Sequence, residues 1–508
     1  MAAVAVAEVT HDAKKAAREL LDSAEKMAGS AQQPYAHVMA LMEIGAAYQV
    51  FDKERSVSLL RAAFGATSTV TEEDGRFYRT RYQSEIVRRL ADISVNDACD
   101  MLRGMGQPGM DMGTGSATKR VVDVLLSRSQ PDFDRAMEVV NLVPDNAEYA
   151  FDAAEEILRK LPSNDSRIAI VFGNALTAYR RTSTGPAFPR MLGRVWRQVP
   201  RDSAVSAVRA VVDGIVARAD DPGNNEAGFS ANEEGVKRAN SKKAKELVEL
   251  IHVVKELDPK RAKELLVKYP EIADAPPPKE TKADENPKHK RDEDESDFAM
   301  PLIPIHGSMD ISAMQAEIDN MKKIETKADE AKGLLEKEPA KAIALIEEVP
   351  PRFRASLLAM AAAKASEKNP ALGENLVEKC ATLLADLKDP GDRVLPWAKI
   401  SEAAHRLNND KLALEALQHA LSDVAEVYAS DTDAKEPNVA LPEYWPSIVG
   451  CRLVMWSASK SLGSKAESLL PGISAPDLAL LARVELARAL LEQNRREWSI
   501  QWEHSSRQ

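Results

Sequence analysis

Cysteine is scarce. The three residues, Cys99, Cys380 and Cys451, stand far apart in a chain of 508, and neither a disulfide framework nor a thiolate metal cluster can be built from that spacing. Each falls inside an apolar helical pattern and reads as a buried free thiol. Aromatic residues make up only 5% of the chain, too few for aromatic-rich β-structure. With 23 Gly and 28 Pro, a low-complexity or collagen-like composition is excluded. No run of about 18 apolar residues occurs, so no helical membrane span is expected and the chain reads as soluble. An excess of positive charge is missing too: 68 Lys and Arg against 79 Asp and Glu leave a net charge of −11. No basic face stands out, which argues against nucleic acid as the main partner.

What is present is alanine, about one residue in seven, within a 44% hydrophobic chain. That composition predicts an all-α protein with a sizeable core. A stripe recurs in which Ala is followed by an apolar residue four and then seven positions on. It appears at Ala98/Leu102/Met105, Ala136/Val140/Val143, Ala204/Val208/Val211, Ala262/Leu266/Tyr269, Ala342/Ile346/Val349, Ala413/Leu417/Ala420 and Ala466/Leu470/Ile473. Looser copies begin at Val57, Ala169 and Gly373. Positions i, i+4 and i+7 share one helix face, so each copy predicts a helix with a buried stripe. Start signals precede the stripes: Asp52, Asn96, Gln130-Pro131, Asn164-Asp165, Pro200, Asp258-Pro259, Glu338-Pro339, Asn369-Pro370, Asn408-Asn409-Asp410 and Gly463-Ser464. Such residues satisfy or delete the unpaired amides of a first turn. A second apolar-periodic stretch precedes each turn, and the unit reads as helix, tight turn, helix. The stripes recur at 31 to 41 residues with three longer intervals, the spacing expected of an α-solenoid of stacked antiparallel helical hairpins.

One unit carries a family likeness. Trp397, Ile400, Ser401, Ala404, Ala413, Leu417 and Ala420 fall at the spacing of the consensus positions of a tetratricopeptide-type repeat. Leu357, Met360, Ala361, Gly373, Val377 and Cys380 follow the same frame less well, and Ile44-Gly45 with Tyr48 echoes its first helix. The chain resembles that family over about two repeats. It departs from the family in having Ala425 where a repeat-ending Pro often stands. The resemblance implies a superhelix whose concave face binds protein segments, and it carries over no specific binding residue.

The periodicity stops between Asp274 and Asp310, where three consecutive prolines from Pro276 lead into a charged stretch with almost nothing apolar. Such a stretch cannot repay its ordering entropy, so 274–310 reads as a flexible linker. It divides a helical-repeat block at 12–273 from a tetratricopeptide-like block at 311–495. Phe298 to Ile305 is a short apolar run with two prolines, expected to dock in extended form on one of the blocks, with a recognition segment for another protein as the alternative. Two loops, 104–115 and 430–446, interrupt the helices and are candidate ligand-site loops. Pro476 to Leu491 reads as an amphipathic terminal cap that shields the last hairpin.

No catalytic constellation emerges. Gly113-Thr114-Gly115-Ser116 lacks the Gly-Lys-Ser/Thr ending of a phosphate loop. The eight histidines, His11, His37, His252, His289, His306, His405, His419 and His504, form no His-Glu-x-x-His set. His405 and His419, on the two helices of one hairpin, are placed to approach each other, and Trp196, Trp397, Trp445 and Trp456 are the aromatics of interest. No catalytic, cofactor-binding or metal residue is assigned, and the partner-binding residues are unassigned. The expected function is a non-enzymatic scaffold or adaptor that binds a protein or peptide partner in a concave helical groove. An all-α enzyme, such as a carbohydrate-active toroid, and an exported ligand carrier are the alternatives. The start Met-Ala-Ala-Val-Ala-Val-Ala resembles the end of a secretory signal with Ala7 at the cleavage site but lacks a basic region, which leaves cytoplasmic and exported locations open.

Overall fold

Side-chain caps and small buried residues set the helices of this protein. The computed structural model describes residues 11–70, 76–105, 117–142, 149–182, 186–219, 228–232, 235–239, 241–273, 323–324, 326–432 and 445–492. Asp52 accepts from the Arg55 amide at 2.9 Å, Asp258 from Arg261 at 3.2 Å, Asn369 from Leu372 at 3.2 Å and Asn409 from Leu412 at 3.1 Å. Each bond satisfies an amide that the first turn leaves unpaired. Two caps differ from expectation: Ser94, not Asn96, caps Val95–Gly104, and Asp132, just past Gln130-Pro131, caps Phe133–Val140. Ala98, Ala136, Ala204, Ala262, Ala342, Ala413 and Ala466, which begin the stripes, are all buried. No helix among the described residues is long and apolar enough to cross a membrane.

The architecture is helical, with one exception to the all-α expectation. Gly228–Asn232 and Gly235–Ala239 form an antiparallel two-stranded ribbon with Asn232 opposite Gly235. Gly and Asn at the ends of these strands disfavour a helix. The last stripe is also not an α-helix, since Gly463–Gly472 is a 3-10 helix that starts at Gly463 with φ of 56°.

The chain divides into two compact units. The described residues of one lie within Thr71–His289 and contain five helix pairs. These are Arg76–Ile93 with Val95–Gly104, Ala117–Leu126 with Phe133–Val140, Phe151–Lys160 with Arg167–Thr182, Ala187–Val195 with Arg201–Ala217, and Lys242–Leu257 with Pro259–Lys268. Each first helix packs on its own partner and on the first helix of the next pair. Ion pairs tie successive first helices: Asp92 with Arg120 at 2.5 Å, Glu155 with Arg194 at 3.3 Å and Glu249 with Arg190 at 3.1 Å. Asp134 with Arg167 at 3.0 Å and Asp213 with Arg261 at 2.7 Å do the same for second helices.

The other unit joins Met1–Val70 to Lys290–Ile500. Pro339–Glu347 packs on Pro351–Lys368, which pairs with Pro370–Asp386. Pro390–Arg406 pairs with Asp410–Asp431, and Pro446–Leu462 with the 3-10 helix. A Cβ on Gly373 would lie 2.4 Å from Ser366 Oγ and 2.9 Å from its Cα, so only a hydrogen fits where Pro351–Lys368 and Pro370–Asp386 cross. Pro476–Leu491 is then paired not with a sequence neighbour but with His11–Ala28, and it also packs on Pro34–Tyr48, whose own partner is Lys53–Ala66.

These units divide the chain differently from the reading of the sequence. Residues 12–66, assigned there to the 12–273 block, pack with the C-terminal helices, and the expected linker 274–310 lies outside the described residues together with the 298–305 run. The helix Pro476–Leu491 is not a terminal cap. Leu478, Leu480, Leu481, Ala482, Val484, Leu486 and Leu490 are buried around its whole circumference, because the first two helices of the chain cover the face that an end helix would leave open.

Candidate interaction surface

Within the unit made from both chain ends, first helices follow one another in the order Pro34–Tyr48, Pro476–Leu491, Pro446–Leu462, Pro390–Arg406 and Pro351–Lys368. Their mostly apolar surfaces are interrupted by a row of buried charge. Glu43 meets Arg488 at 3.0 Å, Arg488 reaches Glu485 at 3.4 Å, and Glu485 accepts from Arg452 Nε at 2.9 Å. One helix further on, Glu402 accepts from Lys399 Nζ at 3.0 Å and from Ser457 Oγ at 2.8 Å. Ser401 and Ser461 face each other at 3.3 Å beside it. Burial works to protonate Glu402, but Lys399, Lys460 and the Ser457 hydrogen bond outweigh it and hold the carboxyl down at about 2. This carboxylate stays ionised and is no proton donor near neutral pH.

A second cluster fastens the starts of these helices. Asp477 accepts from the amides of Gln32 at 2.7 Å and Gln33 at 3.0 Å. Asp431 accepts from Ser447 N at 3.0 Å and Oγ at 2.5 Å. Tyr35 Oη lies 3.3 Å from Tyr428 Oη, and its ring meets Trp445 edge-on at 5.0 Å. Burial pushes both phenols above the ordinary tyrosine value, so they act as neutral hydrogen-bonding groups. Nearby, an open cleft of about 590 Å³ is lined by Leu20 and Ser23 of the first helix, Ser464, Lys465, Glu467, Ser468, Leu470 and Pro471 of the 3-10 helix, and Arg483.

The residues singled out in the sequence fall elsewhere. His405 and His419 are not brought together: His419 stacks on Trp397 at 4.8 Å, while His405 lies 3.5 Å from Asp410. Trp445 and Trp456 are buried, and Trp196 lies under the Arg197 guanidinium at 5.0 Å. His252 donates through Nε2–H to the Gly193 carbonyl at 2.9 Å inside the 71–289 unit. His289, His306 and His504, and residues 106–115 and 433–444 of the two candidate loops, lie outside the described residues. All three cysteines are buried. Burial pushes the Cys380 thiol up to about 12 and raises those of Cys99 and Cys451, which disfavours the nucleophilic thiolate. Among the described residues no group of three or more His, Cys, Asp or Glu could hold a metal ion.

Sequence reading missed Glu43, Glu485, Glu402, Asp431 and Asp477. Their signal is a carboxylate inside an otherwise apolar helical stretch, as in Leu-Met-Glu-Ile at 41–44 and Val-Glu-Leu at 484–486, where an unpaired charge would be costly to bury. Compared with the models of known protein families and with curated proteins, the chain matches none.

Proposed function

We propose that the chain is a non-enzymatic α-solenoid scaffold, similar to tetratricopeptide-type arrays, that holds an extended peptide or partner segment along its first helices. The observation that carries this reading is the packing of each first helix on the next, in both units. Pairs stacked this way offer a long, prearranged surface, so the partner bears most of the ordering cost of binding. Within the unit of both chain ends, buried Glu402, Glu485 and Glu43 are committed to ion pairs, and buried Asp477 and Asp431 to hydrogen bonds. Half-buried Val449 and Leu453, with exposed Lys460, lie at i, i+4 and i+11 on Pro446–Leu462 and form one stripe for contact.

The test is selection of short random peptides displayed against the full chain. The scaffold reading predicts an enriched peptide family whose binding is weakened by Leu453→Glu. Absence of any enriched peptide overturns it.

A further inference from the structure

We propose that the row of first helices in the unit built from both chain ends is a cationic strip that selects acidic extended segments, against the sign of the whole chain. The proposal rests on the scaffold reading and names the chemistry of its partner. In each ion pair of the row the cation is the more exposed member. The Lys399 side chain is 15% exposed over Glu402 at 7%, Arg452 is 11% over Glu485 at 6%, and Arg488 is 25% over Glu43 at 7%. Lys460, exposed at the same stretch, adds a fourth cation close enough to act on Glu402. Four cations thus overlie three carboxylates, and the carboxylates form the floor.

A partner running along the row meets guanidinium and ammonium groups already fixed in position, beside the half-buried Val449 and Leu453. The net charge of −11 does not reverse this preference, because at physiological ionic strength exposed charges beyond about 8 Å are largely screened. The strip has an end: Arg406 pairs with Glu367 at 3.2 Å, and there the carboxylate is the more exposed group. A segment carrying several Asp or Glu residues, spaced by apolar ones, fits both the charge and the intervening stripe.

The peptide selection also tests this proposal through the composition of what is enriched. Glutamate-rich peptides should dominate, and their binding should weaken as salt is raised. Lys460→Glu should weaken the acidic peptide by about tenfold in a chain that still melts cooperatively, at a lowered midpoint because Lys460 also helps to hold Glu402 ionised. Lys411→Glu, on the second helix of its pair and 87% exposed, should leave binding unchanged. Enrichment of neutral or basic peptides, or equal affinity for Lys460→Glu, overturns the acidic preference while the scaffold reading stands. Tighter binding of a single-stranded oligonucleotide than of the acidic peptide also overturns it. Failure to enrich any peptide removes both.

Discussion

Glu402 is a carboxylate in a place where burial alone favours its neutral form, and only its neighbours keep it charged. Removing it takes away the buried carboxylate that pairs with Lys399 and accepts from Ser457, so Glu402→Ala should destabilise the protein by about 3 kcal/mol in a chemical melt. The folded pKa, about 2, lies below the ordinary carboxyl value. Its stabilisation is therefore full above that ordinary value and is lost as pH falls toward 2. The wild-type melt should lose this increment on acidification, and Glu402→Ala should not. His252 has the same pH direction for a different reason. Burial, opposed by its bond to the Gly193 carbonyl, lowers its pKa, and its Nδ1 is buried without a hydrogen bond. A depressed imidazole stabilises the neutral form, so this contribution is present above the ordinary His value and is lost as pH falls below it. Protection factors against hydrogen exchange in Lys242–Leu257 should fall over that window, and His252→Phe should remove the fall. At the same contact a Cβ on Gly193 would lie 2.4 Å from the Glu249 carbonyl oxygen. Backbone on both sides cannot yield cheaply, so Gly193→Ala should cost about 1–3 kcal/mol, read as a lowered midpoint in urea.

At the scale of helices, local signals were legible and distant partners were not. The Ala stripes and the Asn369 and Asn409 caps lie within a turn of the structure they specify, and the helices form there. The capping role assigned to Pro476–Leu491 failed because its pattern was read for one buried face, whereas the helix is buried all round. Nothing within its own sequence neighbourhood announces that Asp477 will bind an amide 445 residues away. The same limit hid the charged row, since Glu43 and Arg488 come from opposite ends of the chain. The pairing has a measurable consequence. Leu20 and Leu21 of His11–Ala28 are buried to within 2%, worth about 2 kcal/mol each. A chain lacking residues 1–30 should thus be less stable by about 4 kcal/mol, and the amides of Pro476–Leu491 should be the first in their unit to lose exchange protection. Unchanged protection there would contradict the pairing.

For the molecule as a whole, the consequence is that sequence order and spatial order differ. One unit closes by bringing His11–Ala28 onto Pro476–Leu491, and the described residues of the other lie between its two segments in sequence. The Glu43–Arg488 end of the charged row exists only in the closed unit, because Pro34–Tyr48 and Pro476–Leu491 supply its opposite members. Truncation at either end should therefore weaken the acidic peptide together with stability. The most direct measurement of this closure is the distance between spin labels at Ser23→Cys and Ser468→Cys, which line one cleft from the first helix and the 3-10 helix. The three native thiols are buried, so labels attach at the introduced sites. The account predicts a short distance with a narrow distribution in the full chain; a long or broad one would contradict it.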